Sequence, residues 1–163
     1  MARRVFYSFH YKPDCWRASK IRNIGAIEGN RPATDNDWET VTSRGDAAIE
    51  KWIKDQMAGR SCAVVLIGQK TAGRKWINYE VVESWRKGMG LLGIHIHKIT
   101  DSLDQQSSKG TNPFSGFTVG DKPLSSIVQT YDPPFTTSKD VYNHIADNIA
   151  AWIDDAIAIR NSY

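Results

Sequence analysis

Ser61-Cys62-Ala63-Val64-Val65-Leu66-Ile67-Gly68 and Gly90-Leu91-Leu92-Gly93-Ile94-His95-Ile96-His97 are two nearly unbroken apolar runs. Between them lies Arg74-Lys75-Trp76-Ile77-Asn78-Tyr79-Glu80-Val81-Val82-Glu83-Ser84-Trp85-Arg86-Lys87-Gly88, which has a different period. Ile77, Val81 and Trp85 recur every four residues, with Val82 beside them, the spacing of one helical face. Strand, helix, strand predicts a parallel α/β unit, because a parallel pair needs a crossover and the helix supplies it. Continuous apolar strands are those covered on both faces. At about 100° per residue, Glu80 falls at the edge of the stripe, one turn beyond Trp76 on the same flank. The helix after a parallel strand starts at the strand's C-terminal edge, where open α/β sheets bind ligands. Glu80, expected early in its helix, therefore stands beside an indole at the mouth of a candidate cleft. The competing reading is a solvated Glu attracted by the helix N-terminus.

Outward from this unit the same alternation continues. Val5–Phe9 reads as the first strand, stopped near Pro13. Asp14 is a candidate N-cap for a short helix over Cys15–Ile24. Residues 25–37 read as an irregular loop, and Trp38–Val41 as a short edge strand. Ser43-x-x-Asp46 resembles a capping box with Asp in place of Glu, ahead of a helix with Ile49, Ile53 and Met57 on its stripe and Trp52 alongside. Residues 98–126 show no periodic element, as expected of a lid, a binding loop or a disordered segment. Ser125–Tyr131 is the last strand candidate. Thr137-x-x-Asp140 opens a final helix striped by Val141, Ile145, Ile149, Trp152 and Ala156. The order predicts an α/β, flavodoxin-like, three-layer fold around a central, mainly parallel sheet of about five strands, in a single domain over 1–163.

Composition narrows the function. An apolar fraction of 40% and six Trp suffice for a core in 163 residues. The formal charge of +3 is carried by scattered Lys and Arg rather than a basic face, which argues against a nucleic-acid binder. Cys15 and Cys62 form no C-x-x-C, and Cys62, inside an apolar run, reads as a small core residue. No apolar run approaches the ~18 residues of a membrane span. Arg3-Arg4 leads straight into a mixed strand rather than a signal peptide, so a soluble, cytoplasmic protein without membrane partners is expected.

Ser8, Phe9, His10 and Tyr11 leave the first strand at the same edge as Glu80, where they could hold a nucleotide by stacking and hydrogen bonds, or simply make a turn. Asp35, Asp37 and Glu39 form an acidic loop cluster, suited to ribose hydroxyls, to a basic partner or to solvent. His95 and His97 share a strand face, but no third ligand at metal spacing accompanies them, so no metal site is assigned. G-x-x-x-x-G-K-[ST] is absent, against a P-loop phosphate site, and the G-x-G-x-x-G spelled by Gly88–Gly93 leads from a helix into a strand rather than from a strand into a helix, against a dehydrogenase site. The third strand ends in Ile67-Gly68-Gln69-Lys70 without the Asp a phosphorelay receiver needs.

Four segments carry a family resemblance. Trp76-Ile77-Asn78-Tyr79-Glu80 resembles the W-x-x-x-E helix of TIR domains, which bears their NAD-cleaving glutamate. Val5-Phe6-Tyr7-Ser8-Phe9-His10-Tyr11 is similar to the opening strand of that family, in the F-S-F-H-Y form of the TIR-like proteins of bacterial Thoeris antiphage systems. Lys109-Gly110-Thr111-Asn112-Pro113-Phe114 is similar to their K-G-x-N-P-F segment. Asp37-Trp38-Glu39, with Asp46 seven residues on, is similar to their region before the second helix. Order and spacing over about the first 115 residues make the set more specific than any one motif.

The resemblance implies cleavage of the N-glycosidic bond of NAD, with Glu80 as catalytic carboxylate and Ser8, Phe9, His10, Tyr11, Asp37, Trp38 and Trp76 around the substrate. NAD is then substrate, and no cofactor is implied. The product is an ADP-ribose-derived, cyclic signalling nucleotide acting on a separate effector protein; self-association and a phage-derived activator fit the same picture. Two other classes use the same residues differently: a non-catalytic TIR-like interaction module, in which Glu80 is incidental, and a nucleoside deoxyribosyltransferase-like glycosyl transfer. The surroundings of Glu80, buried among aromatics or exposed on a flat helix face, discriminate enzyme from module.

Overall fold

The computed structural model describes residues 3–25, 27–29 and 44–163. The elements, in chain order, are β1 (Arg3–Ser8), α1 (Tyr11–Arg22), β2 (Ile27–Glu28), α2 (Asp46–Met57), β3 (Cys62–Ile67), α3 (Lys75–Arg86), β4 (Gly90–His95), β5 (Thr118–Val119), β6 (Lys122–Pro123), β7 (Thr130–Tyr131) and α4 (Ser138–Asn161). Among the described residues, five strands form one sheet in the order β2-β1-β3-β4-β7. Every pairing in it is parallel. This is the doubly wound, flavodoxin-like order, and the chain reverses direction of winding between β1 and β3.

The period-2 alternation of β3 builds the three layers. Cys62, Val64 and Leu66 face the core under α1 and α4, with Ala18, Ile21, Ile145 and Ile149. Ala63, Val65 and Ile67 face the core under α2 and α3, with Ile49, Ile53, Ile77 and Val81. Both faces are covered, which is why the apolar runs are continuous. The pairing Cys62↔Gly90 through Ile67↔His95 extends over the full length of β3 and β4.

Several boundaries differ from the sequence reading. Helix α1 begins at Tyr11, with Pro13 inside its first turn, where an N–H has no intrahelical partner and proline is tolerated. Asp14 is therefore not a cap; it is buried and paired with Arg17 at 3.2 Å. Within the expected loop, Ile27–Glu28 pairs with β1 as an edge strand because Ile27 fills the core beside Ile24. The Trp38–Val41 strand and Ser43 lie outside the described residues. Helix α2 is capped by Gly45 without a side-chain bond, and Asp46 instead pairs with Lys75. In the expected strand 125–131 only Thr130–Tyr131 is extended; Leu124–Ser126 is a 3-10 turn in which Ile127 and Val128 both donate to the Leu124 carbonyl. That turn directs Leu124 and Val128 into the core under α2 and α3. Thr137 caps α4 as expected, accepting from the Asp140 N–H.

Residues 98–126 are tied down rather than free-hanging. Arg17, almost wholly buried, donates to the carbonyls of Ile99 and Gln105 at 2.7 and 2.9 Å. Lys109 pairs with Asp132 at 3.0 Å, and Phe114 is fully buried. Thr118–Val119 and Lys122–Pro123 make a short antiparallel hairpin in the same stretch. The missing periodicity reflects irregular backbone held by side chains, not lack of order.

Candidate functional site

Strand β1 ends at Ser8, and Phe9, His10 and Tyr11 carry the chain into α1. Strand β3 ends at Ile67, and the next helix, α3, begins at Lys75. The two exits flank the point where the strand order reverses, and a cleft of about 360 Å³ opens there. Phe9, His10, Tyr11, Trp76 and Glu80 line it, as expected from the sequence. Phe6, Tyr7, Lys12, Trp52, Ile53, Arg74, Lys75 and Ile77 complete the lining. A second, more open depression, bordered by Lys20, Asn23, Ser138, Lys139 and Tyr142, has no carboxylate in its lining.

Glu80 is the sixth residue of α3, deeper than the early position expected, and is buried. Burial raises its pKa well above the ordinary carboxylate range. Ser8 opposes that shift: its hydroxyl stands beside the carboxyl and favours the charged form, although it falls short of full hydrogen-bond geometry. Ser8 is buried behind the cleft wall rather than lining it. It thus contacts the site through Glu80.

The aromatic walls are mutually braced. Trp76 packs edge-on to Tyr79 at 5.7 Å, and the Lys75 ammonium lies over the Trp76 ring at 4.9 Å. Phe9 and Tyr11 are tilted against each other at 6.1 Å. Burial lowers the pKa of His10, and the positive charges of Arg74 and Lys70 lower it further, which favours the neutral imidazole.

Helical spacing points Glu83 away from the apolar stripe and puts Val82 beside it, and the structure departs from both expectations. Glu83 does not point to solvent: it is buried and forms a two-oxygen ion pair with Arg86 at 2.8 and 3.0 Å. Val82, expected beside the apolar stripe, is instead half exposed. Ile77 and Val81 pack fully and Trp85 packs partly buried against the same core, and Glu80, Glu83 and Ser84 are buried with them.

Asp35, Asp37, Trp38 and Glu39 lie outside the described residues. His95 and His97 are buried and pack edge-to-face at 5.8 Å. Burial lowers the His95 pKa to about 4, Asp132 acting against it. Among the described residues no group of three or more His, Cys, Asp or Glu could hold a metal ion. The residues that sequence reasoning left out of the site are mainly cationic or come from α2. Arg74 and Lys75 were legible as the pair preceding Trp76, whereas Trp52 and Ile53 reach the cleft only because α2 packs beside α3.

A parallel sheet in this order, with an aromatic, carboxylate-bearing cleft where it reverses, defines a flavodoxin-like domain of the TIR type. The family model described as "Thoeris protein ThsB, TIR-like domain" matches residues 6–101, more than half of the chain. The chain belongs to that family. It is also 36% identical over 119 residues to a Bacillus cereus (strain MSX-D12) protein named "Putative cyclic ADP-D-ribose synthase ThsB1", covering 70% of this chain and 62% of that relative.

Proposed function

We propose that this protein cleaves the N-glycosidic bond of NAD, releases nicotinamide, and forms an ADP-ribose-derived cyclic nucleotide that activates a separate effector in antiphage defence. The observation that carries the reading is the burial of Glu80 in an aromatic-walled cleft at the switch point of the sheet. A surface used only for docking has no need of a desolvated carboxylate. The family membership and the name of the Bacillus cereus relative support the same chemistry.

In this reaction the C–N bond to nicotinamide breaks and its electron pair leaves with the neutral base. Positive charge develops on the ribose, and the Glu80 carboxylate stabilises it. Burial raises the pKa of the resting carboxyl well above the ordinary carboxylate range. A cationic pyridinium ring next to it favours the ionised form, so substrate charge and catalyst charge come together. Trp76, Phe9 and Tyr11 supply flat surfaces against the ring and the ribose and exclude water. A ribose hydroxyl of the same molecule attacking the anomeric carbon gives the cyclic product, its proton passing to solvent. Water in its place gives linear ADP-ribose. Asp37 and Trp38 belong to this proposal as further substrate contacts. The reaction needs no cofactor beyond NAD, and the protein works in the cytoplasm, its effector reached through the diffusible product. Self-association and a phage-derived activator belong to the same picture.

The test is mass analysis of products after incubation with NAD, with and without phage-infected lysate. Wild-type protein releases nicotinamide and a cyclic isomer, and Glu80→Gln is slower by about 10²–10³. Asp55→Asn, which removes an exposed carboxylate on α2, serves as control. Turnover by activated Glu80→Gln at the wild-type rate removes Glu80 from the mechanism. No turnover by activated wild type hands the protein to the interaction-module class.

A further inference from the structure

The cleft is electrically divided. Among its described lining residues Glu80 is the one carboxylate, whereas Lys12, Arg74 and Lys75 contribute three permanent positive charges. Two of these cations stand together at one end, and Lys12 is contributed by the first turn of α1. Arg74 and Lys75 stand at the start of α3, and Glu80 is five residues further in, about 7.5 Å along the axis at 1.5 Å per residue. The first turn of α3 contains no acidic residue, and its N-cap, Arg74, makes no side-chain cap bond. The free N–H groups of that turn add the positive end of the helix dipole to the same rim. Arg74 and Lys70 are also near enough to His10 to lower its pKa, an independent sign of positive potential across the mouth. Lys75 is partly neutralised by its pair with Asp46 and is held over Trp76, which leaves Arg74 and Lys12 as the more available charges.

We infer that Arg74, Lys12 and the N-terminus of α3 form a seat for the diphosphate of the nucleotide, one helical turn and a half from the carboxylate. The spacing suits a nucleotide: an anomeric carbon at Glu80 puts its own 5′-phosphate toward the start of α3. A planar guanidinium and the backbone N–H groups of a helix start are suited to phosphate oxygens. This deepens the NAD reading by naming the residues that select a phosphorylated substrate over a bare nucleoside, and it rests on that reading for the identity of the sugar at Glu80.

The seat is tested by calorimetric titration of the full chain with ADP-ribose, which carries the diphosphate and has no nicotinamide to lose. Arg74→Gln weakens ADP-ribose binding by about tenfold, and Lys12→Gln weakens it in the same direction. Added salt erodes wild-type binding more than variant binding. For NAD turnover, Arg74→Gln raises KM and leaves kcat nearly as it was, the pattern of lost uniform binding. Lys87→Gln removes one exposed positive charge at the opposite end of α3 and controls for net charge. Equal ADP-ribose affinity in wild type and Arg74→Gln, or no binding by wild type, overturns the seat. Tight, Arg74-dependent binding of ADP-ribose by a protein that never cleaves NAD overturns the proposed activity and leaves the seat standing.

Discussion

Glu80 concentrates the conflict between stability and function in one side chain. Its burial favours the protonated form, so the folded chain holds a proton that the unfolded chain, titrating near an ordinary ~4.3, has already released. Above that ordinary value the folded state binds more protons than the unfolded state, and stability falls as pH rises toward the folded-state pKa. Glu80→Gln lacks this titration. It is expected to melt with wild type near pH 4 and progressively above wild type toward pH 8, followed by circular dichroism at matched salt. A variant that melts below wild type at pH 8 would show that the ionised carboxylate stabilises the fold. Glu83, three residues on, is no surface twin of Glu80, because its charge is matched by Arg86. Sequence spacing placed Glu83 off the apolar stripe but could not register that Arg86 would fold back over it.

At the scale of elements, backbone contact does what periodicity does not reveal. Gly110, in the segment between β4 and β5, passes so close to the turn after β3 that an added Cβ would lie 2.0 Å from the Gly68 carbonyl oxygen. Gly68 is equally constrained, with Asp14 Oδ2 at 2.0 Å from its hypothetical Cβ. Three segments, from α1, the β3 exit and the long connection, thus meet at the C-terminal edge of the sheet. Gly110→Ala is expected to cost about 1–3 kcal/mol in denaturant unfolding, the usual cost of overpacking. Gly116→Ala, with open space around its Cβ, stays within about 0.5 kcal/mol of wild type. Equal midpoints for the two variants would mean that the 98–126 segment moves freely. The K-G-x-N-P-F resemblance was read from sequence, but the reason for a glycine there lies in the Gly68 carbonyl, 42 positions earlier in the chain.

For the molecule as a whole, the two cysteines report on the layers from opposite sides. Cys62 is fully buried in β3, and desolvation pushes its thiol up to about 12. Cys15, on α1, is partly exposed to solvent. With a thiol reagent at pH 8 one cysteine reacts in the native protein, and the second follows only as the sheet opens in denaturant. Two fast thiols under native conditions would contradict a β3 sealed on both faces. Among the described residues no helix is long and apolar enough to cross a membrane. The longest, α4, buries Val141, Ile145, Ile149, Ile153 and Ala156 against the sheet and keeps charged residues outside.

The sequence by itself determined the parallel core, since only strands covered twice need to be apolar at every position, as Cys62–Ile67 is. It also determined which flank of α3 carries Trp76 and Glu80, because helical geometry fixes neighbours four residues apart. It could not determine that Ile27–Glu28 pairs as a strand, since two residues carry no period, nor that Leu124–Val128 turns rather than extends, since apolar composition alone does not distinguish the two. Tertiary structure decided how deep Glu80 sits, because burial depends on α2 and β1 closing over it. It also decided that Lys12, Arg74 and Lys75, from two separate helices, line one cleft. Local patterns fix the elements, whereas a site's charge and polarity arise from segments brought together by packing.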